Sequence, residues 1–178
     1  MPEPYGSGPV SHVDAAGIEF LCKEAGRCPP GCFVEFGVYK GGSAFHLAAV
    51  ALEQRRNIYL FDTFCGMPFK DPEKDRVGVG AFHCTSIAEV KAIIPYAIFC
   101  PGVFPASMVE LPPIAFAQID CDQYQSIRDA CRVFGPLMVE GCVMLFDDYV
   151  MLAGARMAVK ESFGDRAYIE NEKAVVRF

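Results

Sequence analysis

The sequence predicts an α/β domain built on a doubly wound, mostly parallel sheet. Short apolar runs that suit buried strands recur along the chain and alternate with segments of helical spacing. The first of these strands leads through a glycine-rich turn into a helix and then a second strand. Strand, turn, helix, strand is a βαβ unit, which favours parallel strands and right-handed crossovers.

The elements follow in order. Met1 to Val13 is rich in Pro, Gly and Ser, so residues 1–30 read as a flexible lead-in followed by a helix. Val13 to Ala25 carries Ile18, Leu21, Cys22 and Ala25 on one helical side, and Pro29, Pro30 and Gly31 end it. Cys32 to Gly37 is the first strand, Ala44 to Gln54 a helix and Asn57 to Asp62 the second strand. Residues 65–85 hold Gly66, Pro68, Pro72, Gly78 and Gly80 and read as a long loop, of the kind that is functional or mobile. A helix over Ile87 to Ile94 and strands at Ala97 to Cys100 and Ile114 to Asp120 come next. A helix from Ser126 to Phe134, a strand at Cys142 to Asp147 and a helix from Ala153 to Phe163 complete the alternation. Tyr168-Ile169 and Ala174 to Phe178 are expected to form a C-terminal antiparallel hairpin around Asn171.

Composition narrows the class. A chain of 178 residues, 52% hydrophobic and 21% charged, suits one globular domain spanning 1–178. There is no apolar run of membrane length and no basic start followed by an apolar core, which predicts a soluble, cytoplasmic protein with no membrane partner. A net charge of −6 repels phosphate backbones and argues against nucleic acid as a partner. The nine cysteines are scattered and lie largely in apolar runs, so they read as free thiols acting as small hydrophobes. Cys22, Cys28 and Cys32 lack the tight pairing or nearby His of a zinc site.

In such sheets ligands bind outside the carboxyl ends of the strands. Those ends carry Glu35 and Gly37, Asp62, Gly102, Asp120 and Asp122, and Asp147 and Asp148. Buried carboxylates are costly unless paired or coordinated, so this convergence suggests a cofactor and a cation. The turn Gly37-Val-Tyr-Lys-Gly41-Gly42-Ser43 lets the backbone bend tightly and a ligand approach a helix N-terminus, although a plain βα turn accounts for the glycines equally well. Asp62 stands where an acidic residue accepts hydrogen bonds from ribose hydroxyls; capping a turn with Thr63 is its other reading. The pair favours an adenosine-containing cofactor. Asp120, Asp147 and Asp148 offer hard oxygen ligands suited to Mg²⁺, without the His or Cys that zinc prefers. Phe64 and Tyr124, just past strand ends, are expected to line a pocket. His46 reads as partly buried, His12 as part of the flexible start, and His83 and Lys40 as solvated.

Five runs occur in a telling order: Val34-Glu-Phe-Gly-Val-Tyr-Lys-Gly-Gly-Ser-Ala44, Leu60-Phe-Asp-Thr-Phe-Cys-Gly-Met-Pro68, Pro101-Gly-Val-Phe104, Ile119-Asp-Cys-Asp-Gln-Tyr-Gln-Ser126 and Phe146-Asp-Asp-Tyr149. From about Cys32 to Phe163 the chain resembles the macrocin O-methyltransferase (TylF-type) family, which methylates sugar hydroxyls in antibiotic biosynthesis. The resemblance implies a Rossmann-like class I fold, S-adenosylmethionine as methyl donor and a Mg²⁺ site. It implies that Glu35, Gly37 and Gly41, with Ser43 of the same turn, line the cofactor, and that Asp62 holds its ribose. It places Asp120, Asp147 and Asp148 as metal carboxylates and Asp122 as general base, with Asp120 the other candidate for that role and a further neighbour of the cofactor. Cys65 and Cys121 depart from the family's usual acidic residue and glycine, and Pro-Ala-Ser-Met follows Phe104 in place of Asp-Thr-Leu. The stretch before the first strand is short for such enzymes. The loop from Cys65 to Thr85 is therefore expected to close over the acceptor, or a second subunit of a homo-oligomer to help cover it.

The expected activity is metal-dependent transfer of a methyl group to a hydroxyl of a small molecule, a sugar or glycosylated metabolite. Two alternatives stand beside it: a nicotinamide-dependent oxidoreductase, which the glycine spacing fits poorly, and a non-catalytic module that binds a nucleoside or metal.

Overall fold

A computed structural model describes residues 11–178. Residues 1–10, and with them most of the expected flexible lead-in, lie outside the described residues. The elements are α1 (Ala15–Gly26), β1 (Cys32–Phe36), α2 (Gly42–Glu53), β2 (Ile58–Asp62), α3 (Ile87–Ile93), β3 (Ile98–Pro101), β4 (Ile114–Ile119), α4 (Tyr124–Phe134), β5 (Met138–Phe146), α5 (Ala153–Phe163), β6 (Tyr168–Glu170) and β7 (Lys173–Arg177). They build one seven-stranded sheet in the order β3-β2-β1-β4-β5-β7-β6. The first five strands in that order are parallel, and β7 runs antiparallel to both β5 and β6. This is a doubly wound, Rossmann-like sheet closed by a C-terminal antiparallel hairpin.

The central strands β1, β2 and β4 and the second half of β5 are largely apolar because both faces of the sheet are covered there. Side chains alternate between two cores with period two. Phe33, Leu60, Phe116 and Leu145 pack with Leu21, Leu47 and Val90 of α1, α2 and α3. Val34, Phe61, Ile119 and Phe146 pack on the other face with Ile127 and Phe134 of α4 and Val159 of α5.

Register matters most at the carboxyl ends. Phe36 pairs with Phe61 on one side and Ile119 on the other, Ile119 with Phe146, and Phe146 with Ala174. One step further, Asp62, Gly37, Asp120, Asp147 and Lys173 therefore stand in a single row across five strands. Main-chain bonds carry the ladder to that row, from Gly37 N–H to the Phe61 carbonyl at 2.9 Å and from Asp120 N–H to the Phe36 carbonyl at 2.8 Å.

Some boundaries differ from expectation. Helix α2 starts at Gly42, since Gly41 takes the left-handed conformation (φ 82°) that turns the chain into it. Helix α4 starts at Tyr124, whose N–H is capped by Asp75 Oδ1 at 2.8 Å. Strand β5 begins at Met138 with a partly exposed extension that apolar patterning does not mark.

The loop between β2 and α3 is better tied down than a free lid. Asp75 is buried, and its Oδ2 accepts from Asp71 N–H at 2.8 Å. Gln123 Nε2 donates to the Phe69 carbonyl, and Lys74 Nζ stands 4.3 Å from the centre of the Tyr124 ring. Met67 N–H donates to the Ala81 carbonyl and Gly80 N–H to the Met67 carbonyl, both at 2.9 Å. The loop is thus bolted to the start of α4 and already forms a wall at the carboxyl edge of the sheet.

Candidate functional site

A cavity of about 370 Å³ opens at that edge, within the size range of small-ligand sites. Its lining draws on the β1–α2 turn, the ends of β2, β3, β4 and β5, and the β2–α3 loop.

On the β1–β2 side, Gly37, Gly42, Ser43 and Asp62 line the cavity. Asp62 Oδ2 accepts from Val38 N–H at 2.7 Å and Tyr39 N–H at 2.9 Å, and Oδ1 accepts from Phe64 N–H at 2.7 Å. Thr63 Oγ1 lies 3.5 Å from Oδ1 but gives its one proton to the Gly66 carbonyl at 2.7 Å, so of a carboxylate's roughly four acceptor directions about one stays open. Asp62 therefore locks the glycine turn while keeping limited capacity toward a ligand. Ser43 Oγ donates to Glu35 Oε1 at 2.5 Å. Glu35 is fully buried behind Ser43 and does not itself line the cavity, and its Oε2 has no hydrogen-bond partner among the described residues. Burial pushes the Glu35 carboxyl up to about 8; the Ser43 bond opposes this and the charge of Asp62 adds to it.

The glycines act differently from one another. A Cβ at Gly37, where φ is +94°, would lie 1.7 Å from the Asp120 carbonyl oxygen, so this glycine lets β1 and β4 approach at the cavity floor. Gly41 does not line the cavity: a Cβ there would meet Val90 at 3.0 Å and Ile93 at 3.3 Å. Gly42 faces the cavity in its stead, and a Cβ on it would run into Ser11 at 2.4 Å.

On the β4–β5 side, Asp120, Asp122, Asp147 and Asp148 line the same cavity. One oxygen from each of Asp120, Asp147 and Asp148 lies within 4.8 Å of the others, close enough to share a cation. Asp122, with φ +57°, hands its N–H to Asp148 Oδ2 at 3.1 Å. Burial raises the Asp120 carboxyl well above the carboxylate range, and the charges of Asp148, Asp122 and Glu35 push it further, against Lys173. Burial, then Asp148 and Asp75, moves Asp122 up to about 7, and burial moves Asp148 up to about 6. Lys173 forms an ion pair with Asp147 Oδ1.

The aromatic wall lies elsewhere than expected. Phe64 and Tyr124 do not line the cavity. Phe64 is buried against Phe99, ring centres 6.0 Å apart, because a left-handed backbone (φ 52°) turns it into the core. Tyr124 is buried with its hydroxyl donating to Glu161 Oε2 at 2.6 Å. Tyr39, Phe69, Phe82 and Phe104 line the cavity, as do His12, Met67 and Val103. His12, Tyr39 and Phe82 form a ring cluster with centres 5.2 to 6.0 Å apart. Tyr39 and Phe82 both have positive φ, which no hydrophobic pattern encodes. His83 points back to the Gly80 carbonyl at 2.9 Å and stays outside the lining.

Residues 34–149 match the family described as Methyltransferase domain. The chain belongs to that family. Membership does not favour a nicotinamide-dependent oxidoreductase. The chain is 28% identical over 141 residues to the 8-demethyl-8-(2,3-dimethoxy-alpha-L-rhamnosyl)-tetracenomycin-C 4'-O-methyltransferase of Streptomyces olivaceus. That alignment covers 68% of this chain and 54% of the relative, so the chain spans about half the relative's length. Among solved structures it is similar to the O-methyltransferase NovP, with a TM-score of 0.78 at 20% identity over 94% of this chain and 82% of that one. The calicheamicin methyltransferase CalS11 is similar too, with a TM-score of 0.77 at 22% identity over 92% of this chain and 77% of the other. At these identities the likeness concerns the fold. Among the described residues, no helix is long and apolar enough to cross a membrane.

Proposed function

We propose that this methyltransferase transfers a methyl group from S-adenosylmethionine to a hydroxyl of a sugar or glycosylated small molecule, with a divalent cation, in the manner of the macrocin O-methyltransferases. The observation that carries this reading is the row at the sheet's edge. Its β1–β2 half presents a locked glycine turn and a strand-end carboxylate, and its β4–β5 half presents a crowded carboxylate cluster across the same cavity. The relative's printed activity, methylation of a rhamnosyl 4'-oxygen, supports a sugar acceptor. The net charge of −6 supports a small acceptor over nucleic acid.

The residues fit both groups. For the donor, Gly37, Gly42, Ser43 and Asp62 form the near wall, and Asp62 retains about one open acceptor direction. Bound S-adenosylmethionine supplies an electrophilic methyl on a sulfonium. For the metal, Asp120, Asp147 and Asp148 offer hard oxygens whose mutual repulsion a cation relieves. Bound Mg²⁺ supplies positive charge that lowers the pKa of a nearby hydroxyl. Asp122 lines the cavity beside these groups and, with its carboxyl raised toward neutrality, is poised to accept the acceptor's proton on a side-chain oxygen. Tyr39, Phe69, Phe82 and Phe104 exclude water around the reacting atoms and give the acceptor an apolar face to lie on.

The test is a methyl-transfer screen with labelled donor across sugars, glycosides and phenols, with protein and nucleic-acid acceptors alongside. Labelling of the glycosides, lost with chelator and restored by Mg²⁺, is the expected result. Labelling confined to macromolecules overturns the acceptor class, and full activity after chelation overturns the metal. The Asp147→Asn, Asp148→Asn double variant is expected to lose any Mg²⁺-dependent rise in melting temperature.

A further inference from the structure

Lys173 is a cation that the proposed chemistry does not use, set into the acidic end of the site. It opens β7, and because Phe146 pairs with Ala174, it stands beside Asp147. Its ammonium is ion-paired with Asp147 Oδ1, and the residue is only 6% exposed.

Three restraints hold it there. The β6–β7 loop is the two-residue turn Asn171-Glu172, with φ of 49° and 61° and Glu170 paired to Lys173, the twist-matched hairpin type that fixes register. The tip of that hairpin is tied to the start of α1 by Asn171 Nδ2 donating to the Ala16 carbonyl at 3.3 Å. The lysine stem crosses α1 at Gly17, where a Cβ would come within 3.6 Å of Lys173 Cε. The charges facing the ammonium are Asp147 in contact, Asp120 on β4 and Asp14 at the N-cap of α1. This is a positioned charge, unlike a solvated surface lysine.

We infer that Lys173 is a tethered counter-cation that competes with the divalent ion for Asp147 and thereby sets how tightly this site binds metal. The inference rests on the proposed metal site and adds a residue that regulates it. A divalent ion approaching Asp147 meets a positive charge already seated on Oδ1. To be bound, it must drive the ammonium off that oxygen toward Asp14, the facing carboxylate outside the metal set. That displacement weakens binding relative to a site without the lysine. The same lysine offsets part of the carboxylate repulsion when no metal is bound, so the metal-free chain keeps its fold and metal occupancy follows the ambient concentration.

Titration of the full chain with Mn²⁺, followed by its electron paramagnetic resonance signal, tests this without reference to activity. Lys173→Gln and Lys173→Met remove the charge and keep most of the stem. Each is expected to bind Mn²⁺ about tenfold or more tighter than the native chain. Each should also melt lower without metal and recover when Mn²⁺ is added. Lys173→Arg keeps the charge and should stay close to native affinity. Native and neutral variants that bind Mn²⁺ equally, or neutral variants that bind it more weakly, overturn the role of Lys173 and leave the metal site standing. No binding by any form overturns both. Should neither neutral variant stay soluble, Asp14→Asn preserves the helix cap, because Asn caps as well as Asp, while removing one refuge for the displaced ammonium. It is expected to weaken Mn²⁺ binding at least twofold, and an unchanged or tighter affinity overturns the inference.

Discussion

The two halves of the cavity treat the same functional group in opposite ways. At the β1–β2 end, Asp62 is satisfied by three main-chain N–H groups and holds the turn in shape. At the β4–β5 end, Asp120, Asp122, Asp147 and Asp148 crowd together, share one N–H and one ammonium from the described residues, and have carboxyls pushed upward at three of the four positions. A carboxylate supplied with donors is an architectural part, complete without a ligand. Carboxylates short of donors are a demand for one. The contrast separates the half that shapes a binding surface from the half that gathers charge for chemistry.

The sharpest way to test this division is Asp122→Asn. Asn is at ease with positive φ, so the variant removes charge without disturbing the backbone at φ +57°. Turnover is expected to fall by roughly 10²–10⁴-fold, the usual scale for losing a general base, with melting temperature and affinity for the demethylated cofactor near native. Parallel losses in melting temperature would instead make Asp122 an architectural residue, like Asp62.

That division was only partly legible in the sequence. The central strands were, because burial on both faces leaves largely apolar runs such as Cys32 to Phe36 and Ile114 to Ile119. The carboxylates at their ends were legible too, since strand ends are where such sheets bind ligands. How each carboxylate is satisfied was not. Asp62 depends on amides of Val38 and Tyr39, more than twenty positions away, and no local pattern announces that a turn will curl around it. Gly41 and Gly42 look equivalent in sequence, yet the left-handed turn at Gly41 sends it under α3 and leaves Gly42 facing the cavity. The aromatic wall escaped notice because positive φ values at Tyr39, Phe64 and Phe82 decide which ring faces in. Asp75, which caps α4 from a loop of ordinary composition, gave no signal at all.

On the architectural side, Asp62→Ala is expected to lower stability and cofactor affinity together. Losing bonds to a charged acceptor costs roughly 1.5–3 kcal/mol, visible as a drop in melting temperature. Calorimetry with the demethylated cofactor supplies the second reading. An unchanged melting temperature beside weaker binding would move Asp62 from framework to ligand.

The smallest effect concerns Glu35, whose carboxyl is raised to about 8. A raised folded value means the native state prefers the protonated form. That contribution is fully present below the ordinary glutamate range and is lost as pH rises through about 8. Glu35→Gln cannot ionise, so its melting temperature should decline less steeply than native between about pH 6 and about pH 9, measured in chelator by differential scanning fluorimetry. Identical slopes would show that Glu35 does not titrate in this window.

The contact at Gly37 joins the two halves through main chain alone: the missing Cβ lets β1 meet the Asp120 carbonyl. The gap between donor wall and acidic wall is thus a dimension of the scaffold and does not depend on any side chain. Substitutions around the rim can retune which molecule is admitted and how it lies, while the reach across the floor stays the same. A lineage built on this seam is free to explore new acceptors without having to rediscover the distance.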